Sequence, residues 1–278
     1  MKVINWITYV LYSALWKLVR YLPEGIAYKI FESLAGISYR RNGKRVQRLR
    51  INYRHVAPDV SAVELEAMVK DGLRSAMRYW CDTFRISDWS TEKTLQSTVT
   101  NNENFLFEPI EKKRGVIVAV PHAGNWDHAG AYFCAKGARV NTVAEHLKPE
   151  RLFRKFLAHR ERMGMNVLDL DAGVLNELEM ILKDRGELVA LVSDRDLSKS
   201  GIDVHFFGAT ARMPAGPALL AIKTGIPIVV AHVSYTNLGI HIDFHPVNVP
   251  SQGSESERIV ATVQATADLF AQGISQHP

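Results

Sequence analysis

The chain has 278 residues, of which 47% are hydrophobic and 23% charged, with 18 Gly and 11 Pro. This composition supplies one large core or two small ones and excludes intrinsic disorder, collagen and low-complexity arrays. Its net charge of +5 is unevenly spread: residues 1–60 hold 11 basic and three acidic side chains, a balance of +8, and the remaining 218 carry −3. Such a basic end faces nucleic acid or an anionic membrane. Two cysteines, Cys81 and Cys134, are too few for a disulfide scaffold or a cysteine-built zinc site, and their scarcity fits a reducing compartment.

The first element favours membrane. Residues 3–16 are uncharged, bounded by Lys2 and by Lys17 and Arg20. The run is shorter than the roughly 20 apolar residues that span a bilayer. On a helix, Trp6, Tyr9, Tyr12 and Trp16 share one face with aliphatics beside them. Trp and Tyr suit the headgroup boundary, so the expectation is an interfacial helix, with an amphipathic helix buried on the core as the alternative. A cleaved signal peptide lacks its small-x-small site before Pro23. Arg40, Arg41, Lys44, Arg45, Arg48, Arg50 and Arg54 follow. Without a recognition helix, stacking aromatics or zinc ligands, this cluster reads as an anionic-lipid contact or a solvated helix face. The expected organisation is a helical, basic, membrane-facing region over residues 1–100, a linker near Ser90–Asn104, and an α/β core over residues 101–278, together one structural unit.

Gly115–Val120 is a continuous β-branched run closed by Pro121, the pattern of a strand buried on both faces. Further strands are expected at 139–144, 165–170, 187–193, 203–207, 227–234 and 239–245, with helices at 125–136, 149–163, 172–185, 214–224 and 254–274. That alternation predicts an α/β fold with a central, mostly parallel sheet flanked by helices.

Ligands of open α/β sheets bind beyond the carboxyl ends of the strands. Pro121-His122-Ala-Gly-Asn125-Trp-Asp127 follows the first apolar strand, so a histidine and an aspartate five apart sit on a strand-to-helix turn. A neutral histidine serves as general base, and a carboxylate on its other nitrogen fixes the tautomer. For Asp127 the alternative is a carboxylate serving the helix N-terminus. The scattered histidines His128, His146, His159, His205, His232, His241 and His245 show no metal-ligand spacing, so no metal is expected. Cys134 is expected to be a small buried hydrophobe.

The segment His122-Ala-Gly-Asn-Trp-Asp127 resembles the motif of the bacterial lysophospholipid and lipid A acyltransferase superfamily, most closely its actinobacterial phosphatidylinositol mannoside acyltransferases. Leu147-Lys-Pro-Glu-Arg-Leu-Phe153, Ser193-Asp-Arg-Asp-Leu197, Phe206-Phe-Gly208, Met213-Pro-Ala-Gly-Pro217 and Arg50-Ile-Asn52 with Pro58 are similar to it in the same order. The resemblance implies a glycerolipid acyltransferase-like fold on the cytoplasmic face of the cell membrane. It also implies direct transfer of a long acyl chain from acyl-CoA, with no bound cofactor, to a mannose hydroxyl of a phosphatidylinositol mannoside. His122 then corresponds to the general base. Its partner is Asp127, which completes the motif, or Asp196, an aspartate where those relatives carry a later glutamate; Asp194 is open to the same role. Asn125, Arg160, Asp194 and Arg195 are the expected substrate contacts, the guanidinium groups suiting the phosphates. The oxyanion is expected against backbone N–H groups near Gly124–Trp126. The alternatives are a lauroyl- or myristoyl-type transferase for another glycolipid or lysophospholipid, a metal-assisted hydrolase with His122 and Asp127 as ligands, and a non-catalytic membrane-binding protein.

Overall fold

A computed structural model describes residues 2–145, 148–171, 173–196 and 200–278, with side chains from Trp6 onward. His146, Leu147 and Leu197, named in the motifs above, and residue 172 of the expected fourth-strand crossover helix lie outside the described residues. The chain forms two compact units: one from residues up to 89 with 147–155 and 274–278, the other from Ser90 to residue 146 and from Phe156 to Gly273.

The first unit contains α1 (Lys2–Tyr21), α2 (Glu24–Arg41), α3 (Lys44–Val56) and α4 (Ala62–Arg85). Pro23 starts α2, and Asn42 ends it in the left-handed conformation. Ser61 and Glu64 form a reciprocal capping box at the start of α4. The apolar stripe of α4 buries Leu65, Val69, Leu73, Cys81 and Phe84. Phe84 meets Trp16 at 5.2 Å, Tyr12 at 6.0 Å and Phe31 at 6.2 Å between ring centroids. Arg85 donates to the carbonyls of Val19 and Leu22, 2.7 Å each, and so satisfies the carboxyl end of α1. Tyr28 donates to the buried carboxylate of Asp82 at 2.5 Å.

These contacts divide the aromatic stripe of α1. Trp16 is buried and Tyr12 packs on α4, while Trp6 is exposed. The exposed face carries Trp6, Ile7, Leu11, Leu15 and Leu18 on α1, with Ile26, Ile30, Leu34 and Ile37 at a matching spacing on α2. The basic cluster divides as well. Arg50 is held by Glu66, and Arg54 donates to the carbonyl of Val60 at 2.9 Å. Arg40, Arg41, Lys44, Arg45 and Arg48 stand exposed and, among the described residues, make no ion pair. No helix of the described residues is long and apolar enough to cross a membrane.

The second unit is built on a seven-stranded sheet. Its strands are β1 (Thr98–Asn101), β2 (Val116–Val120), β3 (Val140–Ala144), β4 (Asn166–Asp169), β5 (Leu188–Val192), β8 (Ile228–Tyr235) and β9 (Ile240–Pro246), in the order β1-β9-β8-β2-β5-β3-β4. All neighbours are parallel except β8 and β9. A separate antiparallel hairpin joins β6 (Ile202–Phe206) to β7 (Ala209–Met213). The helices are α5 (Thr91–Gln96), α6 (Asn104–Glu111), α7 (Trp126–Ala135), α8 (Glu150–Arg162), α9 (Val174–Asp184), α10 (Gly216–Thr224) and α11 (Glu255–Gln276).

Side chains alternate across a strand, so one apolar run serves two cores. Val116, Val118 and Val120 of β2 pack with Leu106 of α6 and Ala129, Tyr132 and Phe133 of α7. Ile117 and Ala119 face the other way, toward Leu178 of α9, Leu220 of α10 and Phe270 of α11. Residues 90–104, expected as a linker, instead carry α5 and β1, the latter pairing with β9 at the sheet edge. At β6, Gln264 of α11 takes the place of a neighbouring strand: its Oε1 accepts from the His205 N–H at 2.9 Å and its Nε2 donates to the His205 carbonyl at 3.0 Å.

Arg50 and Tyr39 hold the Glu66 carboxyl well below the usual carboxylate range, at about 2. A carboxyl depressed by folding contributes stability above its unfolded pKa and loses that contribution as pH falls through its folded value. Thermal melts should therefore show the midpoint falling between about pH 5 and 2, and Glu66→Gln should make that fall shallower while lowering the midpoint at neutral pH.

Candidate active site

The register of two neighbouring strands creates the site. Val120 of β2 lies opposite Val192 of β5, and the Ser193 N–H carries the ladder on to the Val120 carbonyl at 3.0 Å. Two residues past each valine stand His122 and Asp194, at matching positions beyond the strands' carboxyl ends. Their side chains meet there, His122 Nδ1 to Asp194 Oδ1 at 2.5 Å. A carboxylate can only accept here, so Nδ1–H is the donor, and in the neutral ring that makes Nε2 the nitrogen free of a proton. Among the described residues Nε2 makes no hydrogen bond, and the imidazole is 35% exposed.

After His122 the chain must turn sharply into α7. Gly124 does this with φ of 57°, pressed against β8 so closely that a Cβ would lie 2.4 Å from the Val233 carbonyl oxygen. Asn125 caps α7, its Oδ1 accepting from the His128 N–H at 3.0 Å. Trp126, the first helical residue, stands edge-on to His122 with centroids 5.2 Å apart at 79°.

The expected site residues separate into distinct tasks. The carboxylate hydrogen-bonded to His122 Nδ1 is that of Asp194, which the sequence reading held open beside Asp127 and Asp196. Asp127 is buried and accepts from Arg160 Nε at 2.8 Å. The ion pair fastens the start of α7 to α8, because a carboxylate removed from water requires a compensating charge. Asn125 is fully buried in its capping role. Asp196 donates its backbone N–H to the Arg212 carbonyl at 2.8 Å, and its side chain lies against Gly201. Arg195 is exposed and makes no ion pair among the described residues. Trp126 was not singled out in the sequence, since its contact with His122 depends on the Gly124 turn.

Other polar groups are occupied elsewhere. His128 is buried against Ser97 Oγ at 3.1 Å and Thr98 Oγ1 at 3.3 Å. Burial pushes the Cys134 thiol up to about 11, which leaves little nucleophilic thiolate. No three His, Cys, Asp or Glu side chains among the described residues converge as a metal site would require.

The sequence matches the model of the bacterial lipid A biosynthesis acyltransferase family over residues 1–278. It is 35% identical over 270 residues to the phosphatidylinositol mannoside acyltransferase of Mycolicibacterium smegmatis, covering 96% of this chain and 86% of the relative. The protein of that name in Mycobacterium tuberculosis H37Rv is 34% identical over 272 residues, covering 96% and 84%.

Arg160→Ala would leave Asp127 buried without the guanidinium, at a cost of about 3–5 kcal/mol in denaturant unfolding. Adding Asp127→Asn to that variant removes the buried charge and should recover part of the loss, a non-additivity that a double-mutant cycle reads directly.

Proposed function

The chain belongs to the bacterial lipid A biosynthesis acyltransferase family and is an acyltransferase, and from that premise we propose that it transfers a long acyl chain from acyl-CoA to a mannose hydroxyl of a phosphatidylinositol mannoside. The observation that carries the mechanism is the His122–Asp194 pair at the adjoining carboxyl ends of β2 and β5. The acceptor class is supported by relatives whose similarity runs the length of the chain.

In this reading His122 Nε2 takes the proton of the acceptor hydroxyl as its oxygen attacks the thioester carbonyl. Asp194 holds the ring by Nδ1–H and stabilises the imidazolium that forms. The tetrahedral intermediate then collapses to the ester, expelling the CoA thiolate, which takes the proton back from His122. The positive amino end of α7, directly after the Gly124 turn, offers stabilisation to the developing oxyanion. Arg195, next to Asp194 in the chain, supplies an exposed guanidinium for a phosphate of either substrate. Transfer requires no covalent enzyme intermediate and no bound cofactor.

The acceptor is a membrane lipid, and the first unit carries what an interfacial protein needs. The aliphatic faces of α1 and α2 offer burial in the acyl boundary, and the five cations from Arg40 to Arg48 offer attraction to anionic headgroups. We assign this face to the cytoplasmic surface of the cell membrane, as a peripheral contact.

Thiol release from palmitoyl-CoA should depend on the mannoside acceptor and be insensitive to chelators. His122→Ala should reduce turnover by about 10³-fold or more, and Asp194→Asn by about 10²–10⁴-fold with KM little changed. Wild-type rates in His122→Ala would refute the mechanism, and thiol release indifferent to every acceptor would refute the substrate.

Flotation with vesicles containing phosphatidylinositol tests the membrane face separately. Leu11→Glu with Ile30→Glu should weaken partitioning by about tenfold or more, and added salt should weaken wild-type binding. Unchanged partitioning of the double variant would dismiss that face.

A further inference from the structure

The opposite end of the same sheet carries a second feature, independent of the reaction proposed above. A cavity of about 610 Å³ opens where β2 and β8 begin, between the carboxyl ends of α6 and α10. Its apolar lining is the exposed Phe105, Pro227 and Pro246, over the buried Ile226 and Val229. Its rim is cationic: Lys112, Lys113, Arg114 and Lys183 against the single carboxylate of Glu108. At about 3.3 Å per residue along β2, Arg114 lies roughly 25 Å from His122, and Val229, level with Val118 at the inner end of the cavity, roughly 13 Å.

Two of the four cations are already used. Lys112 pairs with Glu108 at 3.1 Å and Lys183 with Glu179 at 3.0 Å. Lys113 and Arg114 are exposed and make no ion pair among the described residues. The carboxyl ends of α6 and α10 carry partial negative charge, and cations are common there for that reason alone. One observation goes further than the dipole does.

Helix α6 ends in a Schellman motif: the Arg114 N–H donates to the Pro109 carbonyl and the Lys113 N–H to the Ile110 carbonyl, both at 2.9 Å. The left-handed position of that motif is a glycine position, because a Cβ there is strained. Here it holds Lys113, with φ of 53°. Gly186 makes room for it, since a Cβ on Gly186 would lie 2.5 Å from the Lys113 carbonyl carbon. A lysine therefore occupies a strained site that glycine would fill at lower cost, beside an equally unpaired arginine at the mouth of an apolar-lined cavity. Strained positions of this kind cluster at binding and catalytic sites.

We propose that Lys113 and Arg114 form a binding site for a phosphate group, the rest of whose carrier lies on the apolar surface of Phe105, Pro227 and Pro246. Arg114 offers the planar fork suited to phosphate oxygens and Lys113 a point charge.

Calorimetric titration of the full chain with inorganic phosphate, against chloride at matched ionic strength, tests this. Wild type should bind saturably, and Lys113→Gly with Arg114→Gln should weaken binding by about tenfold or more while turnover persists. Lys113→Gly relieves the backbone strain, so its thermal midpoint should rise, and lost binding is then not lost folding. His122→Ala should bind phosphate as wild type does. Equal titrations for wild type and the double variant, no phosphate-specific heat, or loss of the heat only in Arg195→Gln would overturn the proposal. Phosphatidylcholine vesicles with and without phosphatidylinositol identify the carrier. A fall in phosphatidylinositol-dependent binding in the double variant supports the proposal with a lipid headgroup, and a fall confined to inorganic phosphate supports it with a soluble carrier.

Discussion

The parallel pairing of β2 with β5 is the constraint from which the site follows. Parallel neighbours run in the same direction and end on the same side, so residues equally far past a matched pair come to lie beside each other. Because Val120 is matched with Val192, the two chains leave the sheet level, and His122 and Asp194 leave on the same face. A slip of one residue would send one of the two side chains to the opposite face. That register is held by burial on both sides, with even-numbered residues of β2 in one apolar core and odd-numbered ones in the other. The hydrophobic effect thus fixes a hydrogen bond between two polar side chains that belong to neither core.

The surroundings of this pair divide the remaining motif residues by charge and depth. Asp127 lies where a carboxylate needs a counter-ion, and Arg160 supplies it from α8. Asn125 is deeper still and serves the backbone of α7. His122 and Asp194 are the members left partly open to solvent. A motif compact in sequence is therefore spread over several jobs: turning the chain, capping a helix, bracing two helices and presenting an imidazole.

Much of this was legible before any coordinates. The apolar runs ending at Val120 and Val192 marked buried parallel strands, and the long periodic helices fell within a few residues of expectation. Two strands escaped. Thr98–Asn101 is an edge strand of four residues whose one aliphatic, Val99, is exposed, and Ala209–Met213 has two alanines and an arginine, so neither shows a hydrophobic period. The partner of His122 was left among three aspartates because spacing along the chain carries no register. The common offset of 72 between Val120 and Val192 and between His122 and Asp194 was the available signal, and it becomes usable only once β2 and β5 are known to be neighbours. For α1 the sequence leaves two orientations open, since a stripe of aromatics suits a protein core as well as a headgroup layer, and the structure buries Trp16 while leaving Trp6 exposed.

The bond between Gln264 and His205 bears on a different hazard. An unpaired strand edge is a template for another chain, and a two-stranded hairpin has two such edges. By giving one amide donor and one acceptor to the backbone of β6, Gln264 occupies the groups that an incoming strand would use first. The hairpin is thereby anchored to α11 and blunted along its β6 edge, so a single side-chain amide removes one of the two places where a copy of the chain could pair with this short ribbon.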